Sequence, residues 1–326
     1  MCKEVPPDLK CSKPHGTKMS IPSDYSFTRY LSSKKTVDDR ALNQVVWQRL
    51  AREVSRFPAD RRLRILEIGA GIGTMVERCM DRRLLRRAEY TALDAMRENI
   101  EEAASRVPNW AENAEYSVRI EGANTIRLTR EDRDVMVKLE TADVLEFMVE
   151  NRKHASWDLL IANAFLDLVD VPSVLPDLLS LLGPKGLFYF TITFDAATIF
   201  QPEIDPELDA RIEALYHQTM DQRVIGDKVS GDSRTGRHLF GHLRSAGAEL
   251  LAAGSSDWVV FAGPEGYNAD EAFFLHFIIH TVGSALRGHP ELDPDRLAKW
   301  VAERHAQIER GDLVYIAHQL DFLGRV

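Results

Sequence analysis

The chain predicts a doubly wound α/β fold, and three observations carry the prediction. From about residue 62 short apolar runs alternate with stretches of helical periodicity; the runs are largely continuous rather than alternating apolar and polar; and the first of them ends in glycines. A strand apolar throughout is buried on both faces, which a parallel sheet covered by helices on both sides requires.

The elements follow in order. Residues 24–55 have Leu42, Val45, Val46 and Leu50 at three- and four-residue steps, so a largely helical segment is expected, with Thr36, Asp38 and Asp39 as its start signal. Residues 64–68 are the first strand, followed by a helix over 74–83, a strand over 90–93 and a helix over 97–107. Residues 116–139 alternate around Gly122 and Asp132, the pattern of a small hairpin addition. A helix over 145–151, a strand over 159–162, a helix over 174–182 and a strand over 187–194 come next, the last after the turn Gly183-Pro184-Lys185-Gly186. Residues 196–244 break the alternation and are expected to be a largely helical insertion rich in polar groups. Residues 249–261 read as a strand or kinked strand pair, 270–286 and 293–309 as helices, and 313–323 as a final strand after Gly311. This divides the chain into a disordered tail (1–23), a helical lid (24–60), a core (61–195), a substrate-side insertion (196–247) and C-terminal elements completing the sheet and pocket (248–326).

Composition narrows the functional classes. Lys and Arg total 41 against 50 Asp and Glu in 326 residues, a formal charge of −9, which disfavours a polyanionic nucleic-acid partner. With 44% hydrophobic and 28% charged residues the chain can bury a core, and it contains no apolar run long enough to span a bilayer. Residues 1–20 are polar and Pro-rich, without the apolar centre of a secretory signal, so the cytoplasm is the expected compartment. Cys2, Cys11 and Cys79 are too few and scattered for a disulfide framework, and Cys2, Cys11 and His15 lack a fourth metal ligand. The helically spaced pairs His238/His242 and His276/His280 lack further ligands too, so no metal is expected.

The informative stretch is Glu67-Ile68-Gly69-Ala70-Gly71-Ile72-Gly73-Thr74, a strand end turning through glycines into a helix. Glycine lets a ligand approach the backbone where a Cβ would intervene. The third glycine comes one place too early for the dinucleotide fingerprint. Glu67, Gly69, Gly71 and Gly73 instead resemble the first motif of the class I S-adenosylmethionine-dependent methyltransferases. Further matches follow in order: Asp94 ending the second strand, Asp143 in Thr141-Ala142-Asp143-Val144, Asp158 opening the strand that ends at Asn163-Ala164, and the 182–187 turn, where Lys185 departs from the family's usual Pro-Gly-Gly. The resemblance covers roughly residues 62–194. It implies a mostly parallel, seven-stranded Rossmann-like sheet with a helical N-terminal lid and helical insertions. It also implies S-adenosylmethionine as cofactor, with S-adenosylhomocysteine as product, held by Glu67, Gly69, Ala70, Gly71, Gly73, Asp94, Ala95, Asp143, Val144 and Asn163, with Asp94 on the ribose hydroxyls.

Methyl transfer needs an in-line nucleophile and, for a hydroxyl or ammonium acceptor, a base. Asp167, Asp195 and His217 are the candidates, with Asp170 a further carboxylate after the fourth strand. The segment 24–31 is read as a lid with Tyr25, Arg29 and Tyr30 facing in, or alternatively as aromatics stapling the helix down, and Tyr216 as a substrate contact. The Asn-Pro-Pro-aromatic run of nucleobase aminomethylating enzymes is replaced here by Asn163-Ala164-Phe165-Leu166. The expected function is therefore methyl transfer to an O, N or S nucleophile of a small molecule. A protein or RNA acceptor and a non-catalytic cofactor-binding protein are the alternatives, with no membrane partner and a homodimer left open.

Overall fold

The computed structural model describes residues 21–122, 124–151, 156–225 and 228–326; Cys2, Cys11, His15 and Asp227 lie outside them. Helices α1 (Phe27–Ala41) and α2 (Gln44–Val54) precede β1 (Leu63–Ile68), α3 (Thr74–Asp81), β2 (Arg87–Asp94) and α4 (Arg97–Asn113). Then come β3 (Ser117–Ile120), β4 (Thr125–Arg130), β5 (Arg133–Thr141), α5 (Val144–Asn151), β6 (Trp157–Asn163), a 3-10 turn (Leu166–Leu168), α6 (Val171–Ser180) and β7 (Leu182–Gln201). The remainder is α7 (Pro206–Asp221), a two-residue pair β8 (Val224–Ile225) and β9 (Lys228–Val229), α8 (Thr235–Ser245), β10 (Glu249–Ser255), β11 (Trp258–Val260), α9 (Glu271–Ala285), α10 (Pro294–Arg310) and β12 (Val314–Arg325).

Ten strands form one sheet in the order β10-β12-β7-β6-β1-β2-β5-β4-β3, with β11 also on β12. The five central strands, β7-β6-β1-β2-β5, are parallel and their middle residues fully buried, as their unbroken apolar runs require. Both edges are antiparallel: the β3–β4 hairpin continues from β5, and β12 runs against β7 over nearly its whole length. Ten strands stand where seven were expected, because that hairpin adds two and the 249–261 run splits at Ser256 and Asp257 into β10 and β11. The sheet separates three apolar clusters: one around Ile65, Val76, Tyr90 and Val107, one around Leu160, Leu178 and Phe190, and one in which α1, α7, α9 and α10 close over the C-terminal half of β7.

Two local expectations are corrected. The leading helical stretch is two helices broken at Leu42 and Asn43; Ser26 caps the first, and Thr36, Asp38 and Asp39 lie inside it, on faces that bond to other elements. The 196–244 insertion begins as strand, because β7 continues to Gln201 under its pairing with β12, and helix takes over only at Pro206.

Candidate active site

A cleft of about 330 Å³ lies at the C-terminal ends of β1, β2 and β6, where the connection after β1 runs to β2 and that after β6 runs the other way, to β7. Such a switch point leaves a crevice between diverging loops. The 69–74 turn forms one wall. Gly69 and Gly71 have φ of +63° and +55°, left-handed values that a side chain strains against. A Cβ on Gly71 would also stand 3.2 Å from Leu31 Cδ1, and one on Gly69 would stand 2.7 Å from the Phe165 ring. The N-terminus of α3 has no side-chain cap, which leaves its first amides to an anionic group.

Three carboxylates surround this loop and differ in their donors. Asp94 ends β2 and accepts from the Gly71 and Met96 amides, both at 2.8 Å, and from the Asn99 side chain at 3.0 Å, so its orientation is fixed. Asp143 caps α5 by accepting from Leu145 N at 2.7 Å. Glu67, 1% exposed at the end of β1, receives one hydrogen bond, from the Tyr90 hydroxyl at 2.8 Å, and burial pushes its carboxyl up to about 8. Burial thus favours the protonated form of Glu67.

Helix α1 roofs the cleft with Phe27, Leu31, Lys34 and Asp38, spaced four, three and four residues apart on one helical face. Buried charges hold it there. Arg78, 1% exposed on α3, bonds Asp39 at 2.5 Å and Asp38 at 3.3 Å; Asp38 also accepts from Trp258 Nε1 at 2.9 Å; and Glu77 takes Arg106 at 2.6 Å and lies 3.7 Å from Lys35.

Behind the roof, the segment after β6 carries Asp167. Its Oδ1 is enclosed and has no hydrogen-bond partner, while Arg223 Nη1 donates to its backbone carbonyl at 3.4 Å. Burial raises the Asp167 carboxyl above the usual range, and Arg223 and Lys34 oppose that rise. Tyr30 of α1 and Tyr216 of α7 pack with Ala164 in one cluster, and each feels the Asp167 charge.

A family profile described as a methyltransferase domain matches residues 42–250, well over half the chain. The chain belongs to the S-adenosylmethionine-dependent methyltransferase family. No curated protein matches it in sequence. Among solved structures it is similar to the cyclopropane synthase MmaA2 from Mycobacterium tuberculosis, at 8% identity and a TM-score of 0.41 over 92% of this chain and 99% of that one. It is similar to a geranyl diphosphate methyltransferase in complex with SAM, at 9% identity and 0.41 over 93% and 92%, and to the [4+2]-cyclase SpnF, at 14% and 0.39 over 85% and 79%.

The residues present fit the methyltransferase cofactor. The glycine cradle offers room that a Cβ would fill, Asp94 presents a fixed carboxylate suited to a vicinal diol, and Met96, Ala142, Val144 and Leu145 supply an apolar slot beside it. Of the residues expected at the methyltransferase cofactor, Glu67, Gly69, Ala70, Gly71, Asp94, Ala95, Asp143, Val144 and Asn163 line the cleft, Asn163 accepting from Thr191 Oγ1 at 2.8 Å. Gly73 does not: it starts α3 at φ +82°, and the Val107 methyl of α4 occupies the space a Cβ would take.

The expected catalytic and substrate residues divide. Asp167, Tyr30 and Tyr216 gather behind Ala164, and none of the three lines the cleft itself. His217 and Asp195 are not: His217 faces away, its Nε2 bonded to Thr198 Oγ1 at 2.9 Å, and Asp195 is tied to Arg237 at 2.7 Å against the start of α8. Asp170 precedes α6, where Ser173 bonds it. Tyr25 and Arg29 also turn away from the cleft, Tyr25 stacking on His280 at 4.0 Å and Arg29 pairing with Asp270 at 3.0 Å over the Phe273 ring, so this part of the segment staples α1 to α9. Leu31, Lys34 and Phe165 line the cleft beyond the residues expected from the sequence, and the four-three-four stripe 27-31-34-38 is the sequence signal for the first two.

No helix among the described residues is long and apolar enough to cross a membrane. Among those residues no group of three or more His, Cys, Asp or Glu is arranged to hold a metal.

Proposed function

We propose that this protein transfers the methyl group of S-adenosylmethionine to an O, N or S nucleophile of a small molecule seated between α1, the segment 163–169 and α7. The observation that carries this reading is the α1 roof: a helix pinned by buried charges covers one side of the cleft and narrows it to about 330 Å³, which suits a small acceptor better than a protein or RNA chain. The −9 charge favours the same choice. Residues 61–195 then hold the cofactor, and 24–60 with 196–326 shape the acceptor pocket.

The cofactor supplies an electrophilic methyl, so the protein's task is to orient the acceptor and manage its proton. Asp167 is the base in this proposal. Its Oδ1 has no protein donor, and burial raises its proton affinity, so an acceptor O–H or N–H brought to that oxygen completes its hydrogen bonding and can pass it the proton. Tyr30 and Tyr216 orient the acceptor beside it. The cytoplasm is the proposed compartment.

The test is transfer of labelled methyl from S-adenosylmethionine in a metabolite extract, repeated after nuclease and protease treatment. Label in a low-mass product that survives both treatments is expected. Label confined to macromolecules sinks the small-acceptor reading, and no transfer to any fraction favours a binding protein.

A further inference from the structure

At the other end of the same strands is a second cavity of about 250 Å³, where β1 and β2 begin at Leu63 and Arg87. A six-residue strand rises about 20 Å, which separates this cavity from the cofactor cleft. Its volume equals that of roughly eight liquid waters. The inner wall is apolar, with Val54 and Phe57 from the end of α2 and Leu84 from the turn after α3, and four arginines rim it: Arg61, Arg83, Arg86 and Arg87.

The charge there runs against that of the whole molecule: the cavity is lined by four Arg and one acidic residue, Asp132, in a chain whose total is −9. The rim arginines are unequally compensated. Arg61 pairs with Asp158 at 2.9 Å and Arg86 with Asp132 at 2.8 Å. Among the described residues the Arg87 side chain reaches only the Asp60 carbonyl, at 3.4 Å, and the exposed Arg83 side chain makes no hydrogen bond or ion pair. Two guanidiniums without a carboxylate, at the mouth of a cavity with an apolar floor, match a ligand with one anionic group on a short hydrocarbon body. Guanidinium forks suit carboxylate and phosphate oxygens equally in geometry.

We propose that this cavity binds a small anionic amphiphile, its carboxylate or phosphate held by Arg83 and Arg87 and its hydrocarbon against Val54, Phe57 and Leu84. The site is independent of methyl transfer.

Titration calorimetry on the full chain tests it with octanoate, octyl phosphate, inorganic phosphate and octyltrimethylammonium. One or both anionic amphiphiles should bind with a Kd on the order of 100 μM, and which one does identifies the headgroup. Arg83→Gln combined with Arg87→Gln should weaken that binding at least about tenfold, the loss of about 1.4 kcal/mol or more of charge-assisted contact. The melting temperature should hold, because neither side chain has a carboxylate partner to lose. A second variant, Ala51→Trp, fills the cavity from α2 and should block the amphiphile while leaving S-adenosylmethionine affinity as it was. Absence of binding by both amphiphiles overturns the proposal. So does equal binding of the cationic amphiphile, equal binding of inorganic phosphate, displacement by S-adenosylmethionine, or wild-type affinity in the double variant.

Discussion

The two halves of the sheet hold their site residues in different ways. From β1 to β6 the polar residues at the cleft stand at or just past a strand's end, and their partners lie no more than 28 residues away: Asp94 takes its donors from residues 71, 96 and 99, Asp143 from residue 145 and Asn163 from residue 191. Around β7 and β12 the partners are much farther apart in the chain. Asp209 of α7 is bonded by Trp300 and Arg304 of α10, Asp321 of β12 accepts the Asn43 amide at 2.8 Å, and Tyr216 and Tyr30 pack against the one cluster that joins α1 to α9. The cleft is built from an ordered series of neighbouring elements, whereas the proposed acceptor wall is assembled from long-range contacts and can change without disturbing that series.

The sharpest way to break this division is Asp209→Ala. It strands Arg304, which is 0% exposed, and removes an acceptor from Trp300 Nε1 at 2.5 Å and the Ile204 amide at 2.8 Å, so a loss of about 3–5 kcal/mol is expected in denaturant unfolding. Cofactor affinity at the other half should be retained in whatever fraction stays folded. Asp167→Asn keeps shape and burial but removes the proposed base; turnover of the acceptor found in the extract assay should fall by roughly 10² to 10⁴ with cofactor affinity unchanged. Gly71→Val should weaken S-adenosylmethionine binding by about 100-fold, since the branched side chain meets Leu31 and must adopt a left-handed φ. Equal affinity by calorimetry would remove the glycine turn from the cofactor site.

Smaller effects sharpen the contrast. The Glu67 carboxyl sits at about 8 in the fold against 4.5 when free, so its neutral form is the one the fold favours. Its contribution to stability is complete below about pH 4.5 and is lost as pH rises through about 8. The melting-temperature difference between Glu67→Gln and wild type should therefore shift in the variant's favour from pH 5 to pH 8.5; a flat difference refutes a protonated Glu67. Arg29→Ala removes an exposed ion pair and a ring contact, and should cost no more than about 1 kcal/mol.

What could be read from the sequence follows the same line. The parallel core and the cleft, which nine of the ten residues expected at the cofactor line, were readable because glycines, strand-end acids and apolar runs are local signals. Gly73 matched the motif but serves helix packing, a distinction that depends on Val107 and thus on tertiary structure. Asp195 and His217 had the right chemistry and the wrong direction: β7 extends past Asp195 to Gln201 because β12 pairs with it, and the helix that follows points His217 at Thr198. Nothing within a few residues of either position reveals that pairing. The break at Leu42 and Asn43 differs, because it has a local signal: the Asn43 side chain accepts from the Val45 and Val46 amides and caps α2, while Asp321 holds its own amide from afar.

Arg78 has a mechanical consequence. It lies on the helix that opens at the glycine turn, and its guanidinium grips the two carboxylates of the helix overhead. Arg82 donates to the Asp39 carbonyl and Arg106 reaches Ser32, so floor and ceiling are clasped at several points along one face. The space between them is set by the chain's own charges before any ligand arrives.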